Sequence, residues 1–264
     1  MSFAGPNDTC SWLRKGYPLQ PVNIICVKWG TKYGPDYVNK LRSMVARNMS
    51  RPYRFLCITD DVTGLDPQIE TRPLPAIGIP EFDAATGWTR LHGWLKVTVF
   101  AAPLYDLTGP TLFLDVDLVI TGPLDPFFDP PGEFIVIKEW DKRDETGNTS
   151  VFRFTAGAHG ALIEHLANSL TSAQTDYRNE QEFVTSYFGR QGKMSYWPKG
   201  WCVSFKRHCM HRGIMGLFKP ARIPEGAKVV VFHGKPNPPD AIIGRSGKWY
   251  RRVLPVAWVD ELWR

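Results

Sequence analysis

The stretch Thr111-Leu112-Phe113-Leu114-Asp115-Val116-Asp117-Leu118-Val119-Ile120 decides the fold. An apolar run reads into two carboxylates one residue apart and then turns apolar again. Unpaired buried charge is costly, so a buried strand that carries two acids must have a use for them. Side chains two apart on a strand point the same way. If the strand ends there, both acids can reach one ion, or one can hold the ion and the other a sugar hydroxyl. Ligands of open α/β sheets gather at the carboxyl ends of strands, where this pair is expected. Hard divalent cations prefer oxygen ligands and often share them with substrate phosphates. A metal site holding a phosphorylated ligand is the first reading, and a turn or capping pair at a strand end is the plain alternative.

Elements on either side agree with an α/β protein. Val22 to Val27 and Tyr53 to Thr59 read as buried strands. Between them, Gly30 to Pro35 is a loop, and Tyr37 to Asn48 is a helix with Val38, Leu41, Met44 and Val45 on one face and Asp36 as its cap. Strand–helix–strand favours a parallel sheet. Residues 62–83 are rich in Pro and Gly and read as loops. A helix is expected from Trp88 to Ala101, one continuous strand from Thr111 to Ile120, and further strands at Phe134 to Lys138 and Lys228 to Phe232. Val151 to Phe154 reads as extended, and Leu162 to Leu170 and Gln181 to Tyr187 as helical. Residues 1–20 form an irregular lead-in, and 21–264 a single catalytic domain.

Composition narrows the function classes. The 264 residues are 43% hydrophobic, with 10 Trp, 15 Phe and 9 Tyr for a core or a substrate groove. The formal charge of +6 favours anionic ligands. That excess is dispersed, and its densest stretch, Lys206 to Arg212, is short and interrupted, so no nucleic-acid partner is expected. The 5 cysteines show no CxxC spacing and suit a reducing compartment. Met1 to Gln20 has no apolar h-region, so no signal peptide is expected. No run reaches the roughly 18 apolar residues of a membrane span. The expected location is cytoplasmic, with peripheral membrane contact through Trp249 to Arg252 or the tail Trp258 to Arg264 as one reading and a tail folded onto the core as the other.

His233 follows the apolar run Val229 to Phe232, and the stiff segment Gly234-Lys235-Pro236-Asn237-Pro238 follows it. Imidazole is a good ligand for Mn²⁺-type ions and less usual for Mg²⁺. Two carboxylates and one imidazole would fill half an octahedron, and Lys235 would reach the same phosphates as a point charge.

Together these motifs resemble the family-8 type of nucleotide-sugar glycosyltransferases with the GT-A fold, to which glycogenin and the lipooligosaccharide galactosyltransferases belong. The residues that carry the resemblance are Gly87-Trp88 with Gly93-Trp94-Leu95-Lys96, Phe113 to Asp117, the Asn148-Thr149-Ser150 segment, Glu180-Gln181, Val203 to Cys209 and Val231 to Pro236. The phrases look closest to a poorly characterised bacterial branch. The resemblance implies a Rossmann-like α/β domain with a mixed, mostly parallel sheet flanked by helices. It implies a hexose transferred from a UDP-sugar, with retention, to a glycan, lipid-linked or protein acceptor. Asp115, Asp117 and His233 would match the Mn²⁺ (or Mg²⁺) ligands, Asp115 touching the donor as well. Val27, Lys28, Trp29 and Tyr33 would lie where the family holds uracil and ribose. Lys96 or Arg90 would sit near the donor sugar and phosphates, Asn148 and Ser150 beside the sugar, Lys206 in the groove and Lys235 on the diphosphate. Glu180 and Gln181 would match the acid–Gln pair of the reacting face, although the usual Asp is here Glu180. The opening loop lacks the family's small-residue pattern, and Pro-Asn-Pro stands where many members have Pro-Trp. The rival readings are a haloacid-dehalogenase-type phosphohydrolase with Asp115 as nucleophile and a non-catalytic nucleotide- or glycan-binding module.

Overall fold

The computed structural model describes residues 21–80, 82–83, 88–89, 92–142, 144–211, 215–216, 218–246 and 253–264. The lead-in 1–20, Arg90 and the segment Trp249 to Arg252 lie outside them. β1 (Val22–Lys28) and β2 (Tyr53–Thr59) pair in parallel with Cys26 opposite Cys57, and α1 (Pro35–Asn48) connects them. α1 starts two residues earlier than its apolar periodicity suggests. Gly34 is the N-cap and Pro35 the first helical residue, so Asp36 falls inside the first turn, where a negative charge suits the helix dipole.

β3 (Glu70–Arg72) extends the sheet beyond β2, and β4 (Phe82–Asp83) pairs antiparallel with β5 (Trp88–Thr89) as a separate ribbon. The helix expected from Trp88 is therefore shorter: a 3₁₀ helix runs from His92 to Phe100. β6 (Gly109–Leu114) lies parallel to β1 in the middle of the sheet. β7 (Leu118–Ile120) does not continue β6. It leaves for a small second sheet, and Asp115 to Asp117 form the turn between the two. The continuous strand over 111–120 is thus corrected to two strands in two sheets, because the acids at 115 and 117 break the ladder.

β8 (Phe134–Lys138), the long β9 (Gly147–Ala156) and β10 (Met194–Tyr196) complete the main sheet, in the order β10-β8-β9-β6-β1-β2-β3. β9 runs antiparallel to both β6 and β8. β11 (Cys202–Ser204) and β12 (Val229–Val231) join β7 in the small sheet. Helices α2 (Gly160–Asn168), α3 (Leu170–Asp176), α4 (Glu180–Arg190), α5 (Pro238–Ile242) and α6 (Ala257–Leu262) flank these layers.

Strand alternation places the core on both faces of the main sheet. Ile24, Cys26, Leu112 and Leu114 face one cluster, which takes in α1 and the small sheet. Ile25, Leu56, Ile58 and Phe113 face the other, built on phenylalanines. Phe113 and Phe152 are directly opposite on β6 and β9 and stack with centroids 4.7 Å apart. Each fully buried side chain of this kind contributes ~1.5–3 kcal/mol. A sheet covered on both sides needs near-continuous apolar strands, which is the pattern of β1, β2 and β6. Among the described residues no helix is long and apolar enough to cross a membrane.

Candidate active site

The β6–β7 turn points both acids into one cleft of about 510 Å³, walled by Val27 of β1, by Trp29 and Tyr33 from the loop after it, by Gly93 and Lys96 from the 3₁₀ helix, and by Phe113 of β6. β1 ends at Val27-Lys28 and runs into Trp29-Gly30-Thr31, and Asp60 just after β2 holds that loop by accepting from the Gly30 N–H at 3.0 Å. Trp29 also walls a second cleft of about 420 Å³ formed with Asp60 and the 73–79 segment. Lys28 is buried, and its neighbours line the cleft in its place.

Lys96 organises the cleft floor. Its ammonium lies 2.8 Å from Asp115 Oδ1 and 3.6 Å from Glu180 Oε1, and it donates to the Thr149 carbonyl at 3.2 Å. Burial pulls the Lys96 pKa down, but the charges of Asp115 and Glu180 outweigh it and hold it above its ordinary value. Glu180 is 8% exposed and accepts from Thr149 Oγ1 at 3.2 Å. Its carboxylate packs directly on Gly93, where an added Cβ would stand 2.2 Å from Oε2. A side chain at 93 would therefore displace the Glu180 carboxylate from this position.

Asp117 is held differently. The Tyr33 hydroxyl donates to its Oδ2. Burial and then the charge of Asp115 push the Asp117 carboxyl up to about 6, against the pull of the Tyr33 hydrogen bond. Burial, followed by the Asp117 charge, drives the Tyr33 phenol well above its ordinary range, so it remains a donor.

Gln181 and Asn148 meet over a residue that sequence reading missed. Glu139 Oε2 accepts from Gln181 Nε2 at 3.1 Å and from Asn148 Nδ2 at 3.2 Å, while Gln181 Oε1 accepts from the Thr149 N–H at 3.1 Å. Ser150 contributes its backbone: its N–H donates to Asn148 Oδ1 at 3.0 Å and its carbonyl accepts from Asp115 N–H at 2.9 Å. Glu139 follows β8 at its carboxyl end, the position the strand-end rule marks, but nothing in its local sequence distinguishes it.

His233 sits at the end of β12 with its Nε2 2.6 Å from Ser204 Oγ and its ring stacked on Trp140 at 5.6 Å. Burial, then the positive charges of Lys206 and Arg207, lower its pKa to about 4, so the imidazole is neutral at physiological pH. Lys206, from the helical turn Phe205–Cys209 after β11, donates to the His233 carbonyl and so lies against the same loop. Lys235 pairs with Asp240 at 2.9 Å and is 57% exposed. The structure thus brings together Asp115, Asp117, Lys96 and Tyr33, and separately His233, Lys206 and Lys235. It does not join the two groups into a ligand cluster: among the described residues no three His, Cys, Asp or Glu side chains are grouped to hold an ion. Trp140 and Asp240 are further residues here that sequence reading missed, while Gly93 and Ser204 stand in the quoted motifs without a role assigned to them.

A mostly parallel sheet whose central strand turns at an acid pair into a smaller sheet defines the GT-A α/β fold. No protein-family model and no curated protein sequence matches the chain. Solved structures do match in three dimensions. A galactosyltransferase, LgtC, in complex with donor and acceptor sugar analogues superposes with a TM-score of 0.57 at 13% identity, covering 82% of this chain and 88% of that one. Two structures of the glycosyltransferase GlyE of Streptococcus pneumoniae TIGR4 superpose with TM-scores of 0.55 and 0.56 at 10% identity, covering 83% of this chain and 56% of theirs.

Proposed function

We propose that the protein is a metal-dependent glycosyltransferase that moves a hexose from a UDP-sugar to a glycan, lipid-linked or protein acceptor. The carrying observation is the facing of Asp115 and Asp117 into one cleft, with Lys96 bound to the first and Tyr33 to the second. Burial first, and then the charge of the neighbouring Asp115 carboxylate, raises the Asp117 pKa. A divalent cation favours the charged form of both carboxylates, so the donor set fits Mn²⁺ or Mg²⁺. Asp115 and Asp117 would hold it, and the neutral His233 imidazole is the third candidate, on the neighbouring loop. A bound cation neutralises charge that grows on the departing diphosphate, where stabilisation raises rate.

The chain's own residues do the rest. Lys96 is aimed at the cleft and fixed by Asp115 and Glu180, so its charge is available to the donor without a search among rotamers. Glu180 acts through Lys96, and Gln181 and Asn148, clamped on Glu139, form the wall beside the sugar. Amide and carboxylate oxygens there suit an oxocarbenium-like centre. Lys235, exposed and free to leave Asp240 for a stronger anion, reaches for the diphosphate. Retention follows from the family resemblance alone.

A thermal-shift screen of nucleotide-sugars with and without Mn²⁺ tests this reading, since a ligand of the native state raises its melting point. The expected result is a Mn²⁺-dependent shift with UDP and UDP-sugars, followed by slow release of UDP from one of them. Phosphate release from simple phosphomonoesters with no nucleotide-sugar response overturns it. UDP binding with no donor turnover in the presence of any divalent metal leaves a binding module.

A further inference from the structure

β9 carries a bulge where it passes the cleft. Its pairing with β8 steps from Phe152 opposite Val136 to Asn148 opposite Ile137, so Thr149 and Ser150 have no partner on β8. The pairing with β6 ends at Val151 opposite Leu114. Thr149 and Ser150 are buried, and buried backbone groups must be paired. Other groups replace the ladder. The Thr149 N–H donates to Gln181 Oε1 at 3.1 Å, and the Ser150 N–H to Asn148 Oδ1 at 3.0 Å. The Thr149 carbonyl accepts from Lys96 Nζ at 3.2 Å, and the Ser150 carbonyl from the Asp115 N–H at 2.9 Å. Bulges beside a site re-aim its side chains. Here the bulge carbonyls hold the lysine and the first acid of the cleft.

A side-chain amide can face either way, because its oxygen and nitrogen ends have nearly the same shape. The partners of Gln181 and Asn148 leave one choice. A backbone N–H only donates, so the oxygen of each amide lies against the bulge. The nitrogens lie against Glu139, whose Oε2 accepts from Gln181 Nε2 at 3.1 Å and from Asn148 Nδ2 at 3.2 Å. The other oxygen, Oε1, accepts from the Trp140 N–H at 3.0 Å. Glu139 is therefore an acceptor at both ends. A carboxylate meets that demand, and an amide of the same shape does not. Each amide held in this way has a second N–H and a second carbonyl lone pair beyond these bonds.

We propose that Glu139 is a positioning residue: it locks the Gln181 and Asn148 amides in one orientation, so that a fixed set of donors and acceptors meets the donor sugar, and through them it pins the bulge on which Lys96 and Asp115 rest. The sugar-side role rests on the transferase reading above. The lock needs no contact between Glu139 and the ligand. Plain packing makes a different demand: it needs the shape of the side chain and is indifferent to which of its ends accept. Glu139→Gln keeps the shape and removes one acceptor, so it separates the two roles.

The test compares wild type with Glu139→Gln and Lys142→Met by hydrogen exchange of the Thr149 and Ser150 amides, by calorimetric titration of UDP with Mn²⁺, and by release of UDP from UDP-glucose and UDP-galactose. Glu139→Gln should speed exchange at both amides and lower kcat for UDP release ~10²-fold, the scale of a misplaced binding group. Its affinity for UDP, which carries no sugar, should change far less. Lys142→Met breaks the Lys142–Glu182 pair further along the same segment and should leave exchange and UDP release at wild-type levels. Unchanged exchange in Glu139→Gln overturns the lock. Faster exchange with kcat retained, or with kcat and UDP affinity lost in equal measure, overturns its role beside the sugar. The same losses in Lys142→Met trace the effect to attachment of the whole segment and overturn the lock as well. If Glu139→Gln does not fold, Glu139→Asp keeps the charge and draws the acceptors back by one methylene; faster exchange at Thr149 and Ser150 is then expected, and unchanged exchange overturns the lock. A wild type that ignores UDP and both UDP-sugars with and without Mn²⁺ overturns the transferase reading instead, and exchange at the two amides then decides the lock by itself.

Discussion

The Lys96 cluster and the His233–Asn237 loop, the two halves of the proposed site, are built on opposite principles. Around Lys96 every charged group has partners from several elements: Asp115 from the β6–β7 turn, Glu180 from α4 and the Thr149 carbonyl from β9. All three side chains are largely buried. The loop is held lightly. Its imidazole leans on a single serine and one indole, and its lysine pairs with Asp240 while 57% exposed. Buried charge must be satisfied on every side, so the first half is rigid by necessity. The second half keeps partners that a stronger anion can replace.

The largest effect is expected where the halves meet. Asp117→Ala or His233→Ala should cut turnover by ~10³-fold or more, as expected when several kcal/mol of charge stabilisation are lost, with the fold retained in circular dichroism. Full activity in both variants would break the idea of a joint site. Lys96→Met should destroy activity and also destabilise the protein, by ~3 kcal/mol in urea denaturation, because Asp115 and Glu180 would face each other without a cation. A stability equal to wild type would mean that the rigid half is not rigid.

Gly93→Ala sharpens the contrast without touching a charge. Its Cβ would meet the Glu180 carboxylate at 2.2 Å, so Glu180 must move. We expect a loss of ~1–3 kcal/mol and a fall in kcat larger than the change in KM. On the loop, Lys235→Ala should leave stability within about 1 kcal/mol of wild type, as exposed pairs contribute little. It should still weaken UDP binding more than uridine binding, and equal losses for the two ligands would count against a diphosphate contact.

The smallest effect lies at the edge of the rigid half. Glu182 is held at about 2 by its hydrogen bonds to Arg178 and then Lys142, well below its ordinary value of 4.5. A depressed carboxylate stabilises the fold above its unfolded pKa and loses that contribution as pH falls through the folded one. The melting-point gap between wild type and Glu182→Gln should be full at pH 6 and shrink between pH 4.5 and about 2. A gap independent of pH would show that the pair carries no linkage.

Much of the fold is legible in short stretches of sequence. The apolar strands β1, β2, β8 and β12 and the amphipathic α1 declare themselves by periodicity, and the acids at 115 and 117 stand out against their strand. The break between β6 and β7 is not legible, because apolar residues continue on both sides of the acids. Only pairing partners decide that Leu118 joins Val231 in another sheet while Leu114 joins Val151. The region after Trp88 reads as a longer helix than the structure has for a similar reason: its apolar content serves packing of the 3₁₀ helix His92–Phe100. At the N-terminus of α4, Glu182 pairs with Arg178 and Lys142 while Glu180 turns inward to Lys96, a division that only the tertiary contacts reveal. Trp258 and Trp263 likewise fold back onto the body, the first donating to the Ala221 carbonyl at 2.9 Å.

By itself, the sequence determined the α/β class, the parallel opening unit and the acid pair as the centre of interest, because hydrophobic period and isolated buried charge are local properties of the chain. Tertiary structure alone decided which side chains share that centre. Glu139 and Gly93 enter through contacts with residues far apart in sequence, and packing of whole elements, which no local pattern encodes, sets the distance from the acid pair to His233.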